Sequence, residues 1–179
     1  MPHTDVIIQR YDKRENTESR ALKAAGRFCA SFSLKAPAGI VRDSRGKPFF
    51  NENGIFLSWS HSSDCLAIAV SHVPIGIDAQ KHRRCNSAAI AKRFFHEDEA
   101  AFLSLYPEKF FEVWAAKESY VKYTGEGITS SFRSFAVADE KGMKEQVEGA
   151  YLFVLPSHLG YSLALTAKSE TNITVSGEF

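Results

Sequence analysis

The sequence is poor in cysteine, lacks a long apolar run and carries almost no net charge. Its three cysteines lie far apart and form no C-x-x-C pair, so neither a disulfide framework nor a zinc ribbon is indicated. The uncharged stretch in the middle, residues 66–77, is too short to cross a bilayer and contains Pro74 and Gly76. The first residues show no basic and apolar leader. We therefore expect a cytoplasmic protein with reduced thiols and no membrane partner.

Several signatures of common enzyme classes are missing as well. The chain has no G-x-x-x-x-G-K-[ST] phosphate loop, no H-E-x-x-H zinc motif and no G-x-S-x-G nucleophile elbow. Hydrophobic residues make up 44% of the chain and charged residues 24%, which is typical of a globular protein and excludes a disordered tail.

The net charge of +1 hides an uneven distribution. Residues 1–73 carry 10 Lys/Arg and 7 Asp/Glu, whereas residues 74–179 carry 12 and 14. All ten basic residues of the first part lie in residues 10–47, against four acidic ones. Such a window indicates a bound anion, and a solvated helix face is the alternative. Aromatic residues that could stack on bases are few in this window (Tyr11, Phe28 and Phe32), so a nucleic-acid partner is not favoured.

Hydrophobic periodicity predicts an α+β fold. The predicted helices cover residues 16–33, 86–94, a short segment from 97, and 107–123; the first has a polar face with Arg20, Lys23 and Arg27. The predicted strands cover residues 4–10, 54–60, 65–70, 75–80, 132–138, 151–155, 161–166 and 173–176, and a connector spans 36–53. This order suggests two similar halves, residues 1–73 and 74–179.

Two groups of polar residues have spacings that suit phosphoryl chemistry. Asp78 and Gln80 lie two apart on a predicted strand and therefore on one face. Trp114, Glu118 and Lys122 recur every four residues on the clearest predicted helix. Oxygen donors of this kind suit Mg²⁺, and a lysine nearby suits phosphate. On spacing alone, a surface salt bridge is the more usual explanation of the Glu118–Lys122 pair.

Four segments, in this order, carry a family resemblance. They are Gly46-Lys47-Pro48, Ser58-Trp59-Ser60-His61-Ser62, Ile75-Gly76-Ile77-Asp78-Ala79-Gln80 and the stretch FEVWAAKESYVKYTG at residues 111–125, with AKRFF at 91–95 between the last two. They resemble the 4′-phosphopantetheinyl transferase superfamily, in its long, pseudo-dimeric surfactin-synthetase-activator type. The resemblance covers about residues 15–140. Ser58 stands where the family usually has Asn, and Gln80 where it usually has Glu.

The resemblance implies a fold and a reaction. Two α+β halves in a pseudo-twofold arrangement would form a cleft within a monomer. The enzyme would move the phosphopantetheine arm of coenzyme A to a serine of an acyl or peptidyl carrier protein and release adenosine 3′,5′-bisphosphate. It also implies Mg²⁺, with Mn²⁺ as the alternative, on Asp78, Glu118 and Gln80. Glu118, or a water on the metal, would take the serine proton. Lys122 and His61 would contact phosphate oxygens.

The remaining implied contacts concern the nucleotide and the carrier protein. Arg20, assisted by His61, would bind the 3′-phosphate, and Lys117 would support the charge cluster around the coenzyme. Lys47, Pro48 and Ser60 would line the adenine pocket. The family's upstream lysines lack a clear counterpart, and Lys13 or Arg14 is the candidate replacement.

The segment from Ala88 to Leu103, with Phe94, Phe95 and Phe102 beside Lys92 and Arg93, would dock an acidic carrier. The alternative is that these aromatics belong to the core, and we expect this of at least one of Phe94 and Phe95. The neutral Gln80 predicts weaker or water-mediated metal binding, and it is the main support for the alternative function, a non-catalytic coenzyme A-binding homologue.

Overall fold

The computed structural model describes residues 1–12, 14–51, 54–126, 132–158 and 160–178. The helices in this part of the chain are α1 (Thr17–Ser31), α2 (Ser87–Phe94), α3 (Glu97–Leu105) and α4 (Phe110–Thr124), and a 3-10 turn (Pro107–Lys109) leads into α4. The strands are β1 (His3–Arg10), β2 (Ile40–Arg42), β3 (Pro48–Phe50), β4 (Phe56–Ser62), β5 (Cys65–Ser71), β6 (Ile75–Lys81), β7 (Ala138–Asp139), β8 (Gly142–Met143), β9 (Gln146–Val147), β10 (Ala150–His158), β11 (Tyr161–Ala167) and β12 (Asn172–Glu178).

Two four-stranded sheets form the centre of the described structure. The first has the strand order β12-β1-β5-β4 and the second has the order β6-β11-β10-β9. Only the β1–β12 pair among the described pairs is parallel. The predicted α+β class is confirmed. The pseudo-twofold arrangement and the division at residue 73 stay predictions, and β12 crosses from the second half to pair with β1.

The two sheets share one apolar layer and each carries a helix on its other face. Alternate residues of β1 and β5 face β6 and β11 in the shared layer, as Val6 and Ile77 illustrate. The other face of the first sheet packs against α1, where Phe28 is fully buried. The second sheet packs against α4 through residues such as Val113. Strand alternation and helix amphipathicity therefore produce four layers.

The edge strands β4 and β6 are joined by serine side chains. Ser58 Oγ accepts a hydrogen bond from Ile77 N at 3.1 Å, and Ser62 Oγ accepts one from Lys81 N at 3.0 Å. Between them, Ser60 Oγ donates to Asp78 Oδ1 at 2.7 Å. Because an edge strand has backbone N–H groups without a ladder partner, these hydroxyls satisfy donors that the junction would otherwise bury unpaired.

Helix α4 lies unusually close to β6 at Gly76. A Cβ atom built on Gly76 would lie 2.2 Å from the carbonyl oxygen of Ser119 and 2.3 Å from the amide nitrogen of Tyr123. Both neighbours are backbone atoms of a helix that is anchored in the core, so neither can move aside as a side chain could. The absence of a side chain at this position sets the distance between the helix and the strand.

Three predictions of local structure need correction. Residues 132–138 do not form a strand; only Ala138 joins a two-residue strand, β7. Their backbone is satisfied by buried side chains instead, because Phe135 O accepts from Lys117 Nζ at 2.8 Å and Val137 N donates to Glu99 Oε1 at 2.7 Å. The predicted connector at 36–53 contains the hairpin of β2 and β3. His61 belongs to β4, which runs on to Ser62.

Within the described residues, no helix is both long and apolar enough to cross a membrane.

Replacing Gly76 by Ala should destabilise the protein by roughly 3 kcal/mol, the upper part of the range for overpacking, because backbone atoms of α4 must be displaced. We expect a lower urea midpoint for Gly76→Ala with an unchanged slope. Gly26→Ala is the matched control: a Cβ atom at Gly26 would have nothing within 4 Å, and the substitution should stabilise helix α1 by about 0.5–1 kcal/mol. Equal midpoints for Gly76→Ala and the wild type would show that the close contact is not rigid.

Candidate active site

Asp78 is the centre of a small cluster of charged groups. Its Oδ1 atom accepts from Lys122 Nζ and from Ser60 Oγ, each at 2.7 Å. Its Oδ2 atom is buried and has no hydrogen-bond partner among the described residues. A buried carboxylate oxygen without a partner is costly, so this atom is placed to accept a further donor or a cation.

Glu118 joins this cluster from α4, one turn before Lys122. Burial raises the pKa of Glu118 to about 7, the negative charge of Asp78 contributes to that rise, and Lys122 opposes it. The predicted i, i+4 relation therefore holds for Glu118 and Lys122, but these side chains lie in a cleft and not on an open helix surface. Trp114, the third residue of the predicted stripe, packs instead against Phe95, Phe110 and Phe132.

Gln80 lies two residues beyond Asp78 on the same face of β6. It is partly exposed, and its Nε2 atom donates to the carbonyl of Lys81 at 3.4 Å. The described residues contain no group of three or more His, Cys, Asp or Glu side chains at metal-binding distance. The donors available here are two carboxylates, one with a free buried oxygen, and a neutral amide. Such a set fits a hard divalent cation that takes its other ligands from water and phosphate.

A cavity of about 250 Å³ opens beside Glu118 and Lys122. Its walls come from the β2–β3 hairpin, from β4 and from the end of α4, and its lining residues are Arg45, Gly46, Lys47, Pro48, Leu57, Ser58, Trp59, Glu118, Val121, Lys122 and Gly125. The predicted pair Lys47 and Pro48 is thus brought next to the charged cluster. Trp59 and Arg45 were not predicted to line the site; the sequence offers no signal for Arg45, whereas Trp59 lies inside the S-W-S-H-S segment.

The β2–β3 hairpin is tied to the C-terminal end of α4. Lys47 Nζ donates to the carbonyl of Tyr123 at 2.8 Å, and Arg45 Nη1 donates to the carbonyl of Gly125 at 3.2 Å. Burial lowers the pKa of Lys47. The last carbonyls of a helix lack intrahelical donors and form the negative end of its dipole, so two cations are well placed there. The Lys47 ammonium therefore holds the β2–β3 hairpin against the end of helix α4.

Lys117 does not join the charged cluster, contrary to the expected role near the coenzyme. Its ammonium is completely buried on another side of α4, where it pairs with Glu99 at 2.7 Å. It also lies over the ring of Phe135, 4.1 Å from the centroid. Burial lowers the pKa of Lys117 to about 8, and Glu99 opposes that shift. Successive helix residues point about 100° apart, so Glu118 faces the cleft while Lys117 faces the core.

Arg20 and His61, the residues expected at the 3′-phosphate, contact different partners in the structure. Arg20 pairs with Glu15, and its Nη1 atom donates to the carbonyl of Arg10 at 2.7 Å. His61 is exposed on β4 and stacks on Tyr11 with ring centroids 4.8 Å apart.

Of the two candidate replacements for the upstream lysines, Arg14 lies at the surface. Arg14 is 93% exposed and lies 3.9 Å from Asp12. Lys13 lies outside the described residues.

The aromatic residues of the expected docking segment divide between surface and core. Phe94 is 48% exposed, and the guanidinium carbon of Arg93 lies 5.1 Å from the centroid of its ring. Phe95 and Phe102 are only 1% and 6% exposed. Of the three aromatics, only Phe94 is therefore available to a partner.

Comparison with known proteins agrees with the family resemblance. The family model of the 4′-phosphopantetheinyl transferase superfamily matches residues 74–171. The 4′-phosphopantetheinyl transferase gsp of Aneurinibacillus migulanus is 35% identical over 99 residues, which cover 52% of this chain and 41% of the relative. HetI of Nostoc sp. is 38% identical over 97 residues, covering 48% and 41%, and Sfp of Bacillus subtilis is 32% identical over 120 residues, covering 60% and 53%. The chain thus spans only about half the length of these relatives.

The buried pair of Lys117 and Glu99 predicts a strong coupling in stability. Lys117→Met alone should cost roughly 3–5 kcal/mol, because the Glu99 carboxylate is left buried without its cation. Adding Glu99→Gln removes that charge. The loss in free energy of unfolding of the double variant should therefore be about 1–3 kcal/mol smaller than the sum of the losses of the two single variants. Urea unfolding of the four proteins measures the coupling, and strictly additive effects would contradict the proposed pair.

Proposed function

This chain belongs to the 4′-phosphopantetheinyl transferase superfamily, and we propose that it transfers the 4′-phosphopantetheine arm of coenzyme A to a serine of an acyl or peptidyl carrier protein. Adenosine 3′,5′-bisphosphate is the second product. The observation that carries this proposal is the convergence of Asp78, Glu118 and Lys122 beside a cavity lined by the Lys47-Pro48 loop. In such a cluster the carboxylates can hold a cation against the reacting pyrophosphate, and the ammonium can bind its oxygens directly.

Lys122 is the residue that we assign to the phosphate oxygens. The serine oxygen of the carrier attacks the β-phosphorus, and negative charge grows on the departing phosphate. The Lys122 side chain is 30% exposed while its partner Asp78 is 7% exposed, so the ammonium lies at the open side of the pair. It can exchange one Asp78 oxygen for a substrate oxygen, while Ser60 keeps the Asp78 carboxylate in place.

Glu118 is the residue that we assign to the serine proton. Burial beside Asp78 raises the pKa of Glu118 to about 7, close to the pH at which a general base works best. A cation held by the same carboxylate would lower this pKa, and a water on the metal is then the alternative base. The same carboxylate borders the cavity, where the serine hydroxyl would approach. Asp78, Glu118 and Gln80 are the residues that would hold Mg²⁺, which supplies positive charge against the pyrophosphate. Because Gln80 is neutral, we expect a modest metal affinity.

The cavity wall suits the nucleotide part of coenzyme A. Pro48 and the half-buried Trp59 present apolar surface next to Lys122, and an indole face suits a purine ring. His61, exposed at the end of β4, and Arg20 remain our candidates for the 3′-phosphate. Both walls of the cavity come from one chain, which supports a monomer as the active form.

The exposed patch of Lys92, Arg93 and Phe94 on α2 is our candidate for carrier docking. An apolar ring next to two cations is complementary to a small acidic partner with an apolar contact of its own. Phe95 and Phe102 are buried and are therefore not part of this patch.

Mass spectrometry of an apo carrier protein incubated with coenzyme A and Mg²⁺ tests the transfer. The wild-type protein should add one phosphopantetheine mass, and Asp78→Asn and Glu118→Gln should each slow this gain by at least roughly 100-fold while the far-UV spectrum stays unchanged. Glu140→Gln, which neutralises an exposed carboxylate outside the site and the docking segment, is the matched control and should react normally. Binding of coenzyme A without any mass gain on several carriers would favour the non-catalytic alternative.

Charge reversal tests the docking patch separately from the chemistry. Arg93→Glu and Phe94→Ala should each raise the KM for the carrier about tenfold with little change in kcat. Both substitutions weaken binding of the carrier and leave the reacting groups unchanged. Lys141→Glu, an exposed charge reversal in the β7–β8 turn, should leave the KM unchanged. An unaltered KM in Arg93→Glu and in Phe94→Ala would assign carrier docking to another surface.

A further inference from the structure

The ion pair of Lys122 and Asp78 takes up part of the cluster that would hold a cation. Lys122 Nζ donates to Asp78 Oδ1 at 2.7 Å, and Ser60 Oγ donates to the same oxygen. Asp78 is buried, so water and salt screen this pair less than they would screen a pair on the surface. The Lys122 ammonium therefore balances the charge of the Asp78 carboxylate.

The remaining groups of the cluster offer little further negative charge. Gln80 lies on the same face of β6 as Asp78, but it is neutral, and its amide donates to the carbonyl of Lys81. Glu118 is the second carboxylate of the cluster. Two ionised carboxylates and the Lys122 ammonium leave a single negative charge. The chain by itself should therefore bind a divalent cation weakly.

A divalent cation and Lys122 would compete for the same carboxylate. The second oxygen of Asp78, Oδ2, is buried and has no hydrogen-bond partner among the described residues. A cation on Oδ2 would share the carboxylate with the ammonium on Oδ1, and two positive charges this close together repel each other strongly in a partly buried site. Moving the ammonium away from Oδ1 should therefore strengthen the binding of a cation at Oδ2.

Lys122 is placed where an incoming phosphate can draw it away from Asp78. Lys122 and Glu118 line the cavity of about 250 Å³, whereas Asp78 is not among its described lining residues. An anion in the cavity thus meets the ammonium on the open side of the pair. Ser60 can still donate to Asp78 when the ammonium has turned to the anion, so the carboxylate keeps a hydrogen-bond partner.

We propose that Lys122 couples metal binding to coenzyme binding. The ammonium holds Asp78 until the phosphates enter the cavity, and it then turns to them and leaves Asp78 to the cation. This inference rests on the proposed function, because the phosphates are taken to be those of coenzyme A. Coupling between two ligands is reciprocal, so the cation and coenzyme A should raise each other's affinity by the same factor. The metal should therefore bind together with the coenzyme and not ahead of it.

Electron paramagnetic resonance of free Mn²⁺ measures this coupling without a carrier protein, so that no transfer takes place. Saturating coenzyme A should raise the Mn²⁺ affinity of the wild-type protein at least tenfold, after correction for the Mn²⁺ that coenzyme A binds in a titration without protein. Without coenzyme A, Lys122→Gln should bind Mn²⁺ at least fivefold more tightly than the wild type. Gln80→Glu should do so as well, because it adds a carboxylate. The gain caused by coenzyme A should be smaller in Lys122→Gln than in the wild type.

Lys81→Gln is the matched control for the loss of one positive charge. Lys81 belongs to the same strand as Asp78 but lies on its other face, where the ammonium is 4.3 Å from the centroid of the Tyr161 ring. Its replacement should change the Mn²⁺ affinity less than threefold. Far-UV spectra of all the proteins should be equal, and the wild-type measurement tests the coupling independently of any variant.

The proposal is overturned if coenzyme A leaves the Mn²⁺ affinity of the wild type unchanged, or if Lys122→Gln or Gln80→Glu binds Mn²⁺ no better than Lys81→Gln. It is also overturned if coenzyme A has an equal effect in Lys122→Gln and in the wild type, because the phosphates would then recruit the cation without Lys122. Coupling without carrier modification in the mass assay would instead contradict the proposed function and leave this inference standing. Carrier modification without coupling would contradict this inference alone.

Discussion

The contact between α4 and β6 at Gly76 is the constraint on which the site depends. With no Cβ at this position, the backbone of the helix reaches the backbone of the strand, so closely that a Cβ there would lie 2.2 Å from the Ser119 carbonyl oxygen. Asp78 lies two residues further along the strand, and Glu118 and Lys122 lie next to the two helix residues in contact. The groups that we assign to the chemistry are therefore held by backbone contact and do not rely on flexible loops.

Helix α4 is fixed on two sides by the residues that flank Glu118. Lys117 pairs with Glu99 in the core, and Ser119 Oγ lies 2.8 Å from Thr166 Oγ1 on β11. Glu118, between them, faces the cleft. Lys117 and Ser119 resist rotation of the helix about its axis, and these two contacts therefore determine the direction in which the Glu118 side chain points. At the end of the helix, the Arg45 and Lys47 side chains hold the hairpin that closes one wall.

The basic residues in the first half of the chain lie on two different surfaces. Arg45 and Lys47 neutralise the negative end of α4, whereas Arg10, Lys23 and Arg27 line a groove between α1 and the first sheet. The second half contributes the carboxylates of Asp78 and Glu118 to the cleft. A net charge near zero is therefore compatible with two concave sites of strong local charge.

The sequence by itself determined the α+β class, the main helices and most strands, because their apolar residues follow the period of the element that buries them. The order of the G-K-P, S-H-S, G-I-D and K-E-S motifs also indicated the family. The local sequence pattern predicts a strand at residues 132–138 that the structure does not contain, because Phe135 and Val137 alternate as strand residues do. There the buried Lys117 and Glu99, distant in sequence, take the backbone hydrogen bonds that a strand partner would have taken.

Tertiary structure alone decided how these residues are used. Lys117 and Glu118 are adjacent in sequence, yet the helical turn sends one into the core and the other into the cleft. Arg45 and Lys47 meet the end of α4 about 80 residues later in the chain, a contact that no local pattern encodes. Likewise, only the packing of α1 on β1 and β12 shows that the basic residues line a groove. Periodicity reports which side of an element is apolar, and it carries no information about which distant element covers that side.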